Sequence, residues 1–286
     1  MHRDRKRMGQ VYTVSLDVQL LPRNDELLGS FIRPVACRNE NDYQFHSYWG
    51  VGLSRKRHSV AVAEVQDLSP RVRRIRFSGE TLTGLTWSPG DKVKLRLRGV
   101  SRSYTPAMVD EDQGWMDVIF FLHGRGPATR WAAGAGVGTR AMLTKPEKSF
   151  KRGKKEPAWA LFMGDETTLG LAQALLSALP SRTVVMGAIE ITAGDAPAVQ
   201  GLGLPLSVAI RDDHYGDALV DWLTQATLPE GDGVIWISGE AVTVRTLKKV
   251  LSERDLGKTS VKTKGYWKAK RRSVHAPTES LRIAAK

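Results

Sequence analysis

Only one cysteine, Cys37, occurs in 286 residues. That excludes an intramolecular disulfide and any cysteine-based metal or iron–sulfur cluster, and it suits a reducing compartment. Nowhere does the chain hold the run of about 20 apolar residues that a membrane-crossing helix needs. Its opening, HRDRKR, leads into no apolar segment with a cleavage pattern. The expectation is a cytoplasmic monomer without a membrane span. His2, His46, His58, His214 and His275 are scattered without ligand spacing, so no metal site is expected.

Acidic residues are outnumbered, and the net charge is +13. Its placement matters more than its size. From Lys258 to the end nine basic residues face Glu279 alone, and KPEKSFKRGKK, Lys145 to Lys155, carries six more against Glu147. Such surfaces attract anions at long range: nucleic acid, lipid headgroups or a charged small molecule. Basic nucleic-acid binders usually interleave aromatics or line up Arg and Lys along one helix or groove. Here the excess sits mostly at one end, and no nucleic-acid partner is expected.

The length suits two domains. Residues 1–53 show no sustained period and read as an extension. From Ser59 onward SVAVAEVQDL, RVRRIRFSG, DKVKLRLRG, RSYTPAMVD and WMDVIFFLHG follow one another, separated by turn chemistry such as SP, SPGD and DEDQG. Short, near-alternating segments of this kind predict antiparallel strands, here a small Greek-key barrel within 54–156. The pattern then changes. WALFMGD reads as a buried strand, TTLGLAQALLSALP as a helix opened by a threonine cap and stopped by proline, and RTVVMGAIE as the next strand. Strand and helix alternate onward through SVKTKGYW. The fold class expected is therefore β-barrel plus α/β, with a parallel sheet over 157–270 and a basic tail over 271–286. Ligands of parallel sheets lie beyond the carboxyl ends of the strands, where MGDETT and ISGEAV fall.

Two motifs can carry chemistry. In FLHGRGPATRWAAGAG, His123 ends an apolar strand, Gly124 and Gly126 free the backbone, Pro127 suits a first helical turn and Ala128 follows it. A helix start with open N–H groups can seat phosphate. The same pattern also suits a plain strand-to-helix turn with Trp131 in the core. Just upstream, RSYTP offers Arg102 as fixed charge, Tyr104 as an aromatic face, Thr105 as a short hydroxyl and Pro106 as a bend. Strand alternation puts Arg102, Tyr104 and Pro106 on one face unless the chain bends at the proline.

RSYTP, HGRGPATRWA, MGDETTLGLAQALL, IWISGEAVTVRTLKKVL and KGYWK, in this order and spacing, resemble the siderophore-interacting proteins, flavin-dependent ferric-siderophore reductases of the ferredoxin-reductase-like superfamily. The resemblance spans about 55–270. It implies a flavin-binding barrel followed by a nicotinamide-nucleotide-binding domain, with FAD as cofactor and NAD(P)H, or a reduced ferredoxin, as donor. Arg102, Tyr104 and Thr105 would contact FAD, Tyr104 against the isoalloxazine and Thr105 near the reactive ring nitrogen, with Pro106 beside them. His123, Gly124, Gly126, Pro127 and Ala128 would hold the pyrophosphate, with Trp131 behind. Gly164, Asp165, Glu166, Thr167, Gly239 and Glu240 would line the nucleotide side, and Tyr266 and Trp267 would close over the flavin. The chain departs from the family pattern at Thr168, Leu169, Gly170 and Leu171 after GDET, at Gly138 and Thr139, and at Lys268 and Ala269 after GYW.

The implied reaction passes electrons from NAD(P)H through FAD to a ferric siderophore. It requires no side-chain acid or base, so no catalytic residue is assigned. Lys262, Lys264, Lys268 and Arg271 surround the GYW motif and are expected to form a docking rim for the anionic chelate. A flavin reductase serving a ferredoxin or flavodoxin would share the fold and suit the same rim, and a basic nucleic-acid binder is the remaining alternative.

Overall fold

Seven strands of alternating or short apolar pattern build the first half of the molecule. They are β1 (Arg57–Ser69), β2 (Val72–Ser78), β3 (Val93–Leu97), β4 (Val100–Tyr104), β5 (Met108–Asp110), β6 (Trp115–Phe121) and β7 (Arg140–Thr144). They form one antiparallel sheet in the order β4-β3-β7-β1-β2-β6-β5. The two edge strands, β4 and β5, are joined by only three residues, Thr105 to Ala107, so the sheet curls into an open barrel with a seam at those residues. The computed structural model describes residues 57–269 except 98, 154–155 and 213. The extension expected over 1–53 and the tail over 271–286 lie outside the described residues.

Side-chain alternation fills the curled sheet. Ile75 and Phe77 of β2 and Val118 and Phe120 of β6 point inward with Val60, Val62, Leu95 and Leu143. Val72 and Ile119, on the opposite face of the same strands, enter a second core shared with the parallel sheet. The apolar run of WMDVIFF follows from this, since β6 is covered on both faces. One strand, β7, has no sequence signal. It is five residues long with Arg140 and Met142 exposed, too short and mixed to show a period, and its pairing with β1 and β3 defines it.

The second half is a parallel sheet of β8 (Trp159–Asp165), β9 (Val184–Ile191), β10 (Ser207–Ile210), β11 (Gly233–Glu240) and β12 (Ser260–Trp267), in the order β10-β9-β8-β11-β12. Five helices accompany the two sheets: α1 (Pro127–Gly134), α2 (Leu169–Leu176), α3 (Pro197–Gly201), α4 (Asp217–Gln225) and α5 (Ala241–Ser252). Every residue of β8 and β11 is buried. Trp159, Leu161 and Met163 pack with α4 and α5, while Ala160 and Phe162 pack with α2 and the curled sheet. Each large side chain so buried stabilises the fold by roughly 1.5–3 kcal/mol. All the described residues fall in one compact unit.

Helix α2 corrects one expectation. Its approach from β8 is capped by Asp165, which accepts from the Thr167 N–H, and a 3-10 turn over Glu166–Thr168 precedes the helix. Thr168 makes no cap because its hydroxyl donates back to the Asp165 carbonyl at 2.7 Å. The helix also ends at Leu176, before Pro180 is reached. It is apolar all round because it lies between the two sheets. Gly170 makes that approach possible: a Cβ there would come within 2.9 Å of the Thr105 carbonyl oxygen.

Candidate functional site

The seam between β4 and β5 carries Tyr104 and Thr105. Tyr104 is half-buried, its ring tilted against Phe120 at 4.5 Å between centroids, and Phe120 in turn meets Trp131 of α1 at 5.9 Å. Trp131 also stacks on Phe77 at 6.0 Å, so it braces α1 against the inner core. Burial pushes the Tyr104 phenol up to about 12, which keeps it neutral and apolar-facing at physiological pH. Thr105 and Pro106 are buried, and the chain bends there, out of the strand. Arg102 stays exposed, its guanidinium donating to the Ser101 carbonyl at 3.0 Å.

The second element is the turn after β6. His123 stacks on Phe121 at 5.5 Å, and its carbonyl accepts from the Thr129 hydroxyl at 2.8 Å. Gly124 has φ of 62°, the left-handed region. No heavy atom lies within 4 Å of where a Cβ would sit at Gly124 or Gly126. Helix α1 starts at Pro127 with no side chain capping it. The first turn of α1 has no side-chain cap, the space over both glycines is open and Arg125 and Arg130 belong to the same turn, a set of donors and cations that suits phosphate. With the Tyr104 ring, linked to α1 through Phe120 and Trp131, these residue types suit a flavin dinucleotide: donors for its phosphates and an aromatic ring for its own.

The third element lies at the carboxyl ends of β8, β9, β11 and β12. GDET and SGE, 75 residues apart in sequence, meet there. Asp165 Oδ2 accepts from the Glu240 N–H at 2.8 Å and from Trp267 Nε1 at 2.9 Å, while Oδ1 accepts from the Thr167 N–H and hydroxyl. Burial pushes the Asp165 carboxyl upward, and hydrogen bonds from Thr167 and Trp267 oppose it. Gly239 has φ of 122°, and a Cβ on it would come within 2.4 Å of Asp165 Oδ2. Glu240 caps α5 through the Val242 and Thr243 N–H groups and holds the Ala269 N–H at 3.2 Å. Glu166 is paired on both oxygens with Arg211, which also lies over the Tyr215 ring at 4.6 Å. Gly164 is buried beneath Thr168.

The seam of the curled sheet meets the carboxyl end of β12 where Thr105 Oγ1 and the Tyr266 hydroxyl lie 3.1 Å apart. Burial raises the Tyr266 phenol. β12 carries one residue more than β11 here, since Gly239 pairs with Gly265 and Glu240 with Trp267. Tyr266 is the extra residue, and such bulges re-aim side chains. Trp267 donates to Asp165 and meets Tyr215 edge-on at 4.9 Å.

The lysines do not converge. Lys264 is tied to Ser149, its Nζ 2.7 Å from Oγ, and burial and Lys92 hold its pKa down. Lys262 lines a separate cavity of about 270 Å³ with Arg152 and Lys258 near the amino ends of the strands. Lys268 is exposed just past Trp267, and Arg271 lies outside the described residues. Among the described residues no helix is long and apolar enough to cross a membrane.

Three features carried no motif signal. Arg71 binds the buried Asp195 at 2.8 Å, helped by Ser69 and Thr192, and its guanidinium lies over Phe121, the ring on which His123 stacks. Glu190, pushed up to about 7 chiefly by burial, accepts the Gly216 N–H between α4 and β9. Its charge amid the apolar VVMGAIEI was the one available clue. Tyr215, 45% exposed, sits in a short loop without pattern.

Residues 157–270 match the family model described as siderophore-interacting protein, and residues 95–150 match the siderophore-interacting FAD-binding domain. The chain is 26% identical over 208 residues to the NADPH-dependent ferric-chelate reductase of Escherichia coli (strain K12), covering 66% of this chain and 72% of that protein. Its structure is similar to that of a siderophore utilization protein from T. fusca, with a TM-score of 0.62, 25% identity, and coverage of 77% of this chain and 97% of that one. The ferredoxin reductase in carbazole 1,9a-dioxygenase, at 19% identity, shares the fold, with a TM-score of 0.62 and coverage of 74% and 69%.

Proposed function

The chain belongs to the siderophore-interacting protein family, and from that premise we propose that it is a flavin-dependent reductase taking electrons from NAD(P)H and delivering them to a ferric siderophore in the cytoplasm, where ferrous iron is released. The observation that carries this reading is the Thr105–Tyr266 contact, which joins the residue after Tyr104, at the seam of the curled sheet, to the carboxyl end of the parallel sheet. The chemistry supplied by bound FAD is the conversion of a two-electron hydride into single electrons.

The protein's own part is binding and placement. Tyr104 offers its ring face, Thr105 its hydroxyl, and the amides of the His123 to Ala128 turn the donors for the diphosphate. Trp131 holds that turn in register through Phe120 and Phe77. On the nucleotide side Gly164, Asp165, Glu166, Thr167, Gly239 and Glu240 shape the floor through internal hydrogen bonds, and Tyr266 closes the space between the two sides. Reduction suits release because the hard oxygen donors of a siderophore hold ferrous iron less firmly than ferric.

Lys268, exposed just past Trp267, is a cation suited to draw an anionic chelate. Lys264 acts mainly as a tie to Ser149, and Lys262 lies further along the strand. The test is anaerobic mixing of the FAD-loaded protein with NADPH or NADH, followed by ferric siderophore and a chromogenic ferrous trap. Bleaching by the nicotinamide and stoichiometric ferrous trapping are expected. Bleaching with no electron passed to any ferric siderophore would remove the assigned acceptor.

A further inference from the structure

Asp165 is 3% exposed and receives four donors: the Thr167 N–H and hydroxyl on Oδ1, the Glu240 N–H and Trp267 Nε1 on Oδ2. Its neighbourhood is closed by the protein itself. Gly239 leaves no room for a Cβ beside Oδ2, and the two donors on that oxygen come from β11 and β12. The carboxylate thus faces the protein interior, and what it fixes is the chain leaving β12: Trp267 directly, with Ala269 held alongside by Glu240 Oε1 at 3.2 Å.

Trp267 needs such a tie. The bulge at Tyr266 removes the regular alternation that would orient the next side chain, and the ring's aromatic neighbour, Tyr215, is itself 45% exposed. An indole at a strand end has χ freedom unless its N–H is bound. The bond to Asp165 sets the plane of the ring at the carboxyl end of the sheet, next to the Tyr266–Thr105 contact that bounds the flavin side.

We infer that Asp165 is a positioning residue for nicotinamide-nucleotide entry, acting through Trp267 and not by contact with the nucleotide. The inference rests on the reductase reading above. Trp267→Phe keeps an aromatic ring and deletes the one donor. It raises KM for NAD(P)H by about 5- to 20-fold, a larger change than any in kcat. Asp165→Ala breaks the bonds to Thr167 and Glu240 as well, so its effect on KM is at least as large in the parent chain and is clearly smaller in the Trp267→Phe background, where the indole bond is already gone.

A second readout needs no turnover. In the full-length protein labelled with nitrogen-15, the Trp267 indole N–H signal, assigned by its loss in Trp267→Phe, exchanges with solvent at least tenfold faster in Asp165→Ala. Should Asp165→Ala not fold, Trp267→Phe decides alone, and an unchanged KM overturns the inference. Multiplying effects of the two substitutions, or an indole N–H that exchanges equally fast in both proteins, overturn it too while leaving the reductase intact. A parent protein whose flavin is not reduced by NAD(P)H removes the reductase reading, and the inference with it.

Discussion

The glycine turn at Gly124 and Gly126 and the glycine-acid turn at Gly239 and Glu240 look alike in sequence and behave oppositely in the fold. Around the first, space is open and the helix start has no side-chain cap. Around the second, every carboxylate already has partners and the glycine is needed because an oxygen of Asp165 occupies the place of a Cβ. A motif of small and acidic residues can therefore be a seat for a ligand or a seat for the protein's own side chains. The hydrogen bonds distinguish the two.

That contrast can be broken most forcefully at Gly239. Gly239→Ala combines a strained positive φ with a clash against Asp165, and a loss of about 3 kcal/mol or more is expected. By thermal unfolding this lowers the midpoint by roughly 6–12 °C. The matching change at the other turn has the opposite profile. Gly126→Asp supplies the missing cap and adds a few tenths of a kcal/mol to the apo protein, while its charge repels the diphosphate. FAD affinity, measured by fluorescence quenching, falls by about 100-fold or more with the melting temperature held or slightly raised.

Next in size is Glu190. Unfolded, its carboxyl titrates near its ordinary value of 4.5, and folded near 7. Between these the native state holds the extra proton, so stability falls as pH rises through the window, and the full cost of burying the charge is present above about 7. Glu190→Gln removes the titration. It is expected to stabilise the protein by about 1–2 kcal/mol at pH 8 and by little at pH 5, read from urea unfolding at the two values. Equal effects at both would place the titration elsewhere. Asp195 has the opposite sign. Burial alone would raise it, but donors from Ser69, Arg71 and Thr192 outweigh burial and hold it below 3.8, so its contribution is present above that value and is lost as pH falls through the depressed one.

The smallest effect is expected at the exposed cation. Lys268→Gln raises KM for an anionic ferric chelate two- to threefold at low salt, and the difference disappears at 0.5 M salt, where screening is nearly complete. An uncharged iron chelate should show no change at either salt concentration.

How much of this was readable beforehand follows from what each element depends on. The buried strand WALFMGD announced itself because both faces are covered, and the change from alternating to apolar runs marked the passage from curled to parallel sheet. The short β7 did not, since its place is set by neighbours on both sides. RSYTP and the glycine turn stood out in the sequence because each gathers its residue types within a few positions. The cap of the helix after GDET was misassigned to threonine because sequence could not show that Thr168 turns back on the Asp165 carbonyl. Trp267, Asp165 and Glu240 meet only through the fold, as do Arg71 and Asp195, whose pairing spans 124 residues.

The direct test of the account is titration of FAD into the full-length apo protein and into Gly126→Asp, followed by absorbance. The account predicts saturable, one-to-one binding with the perturbed spectrum of a flavin ring against an aromatic face in the parent, and near-complete loss of it in the variant. A parent protein that binds no FAD, or a variant that binds it equally well, would contradict the assignment of the glycine turn.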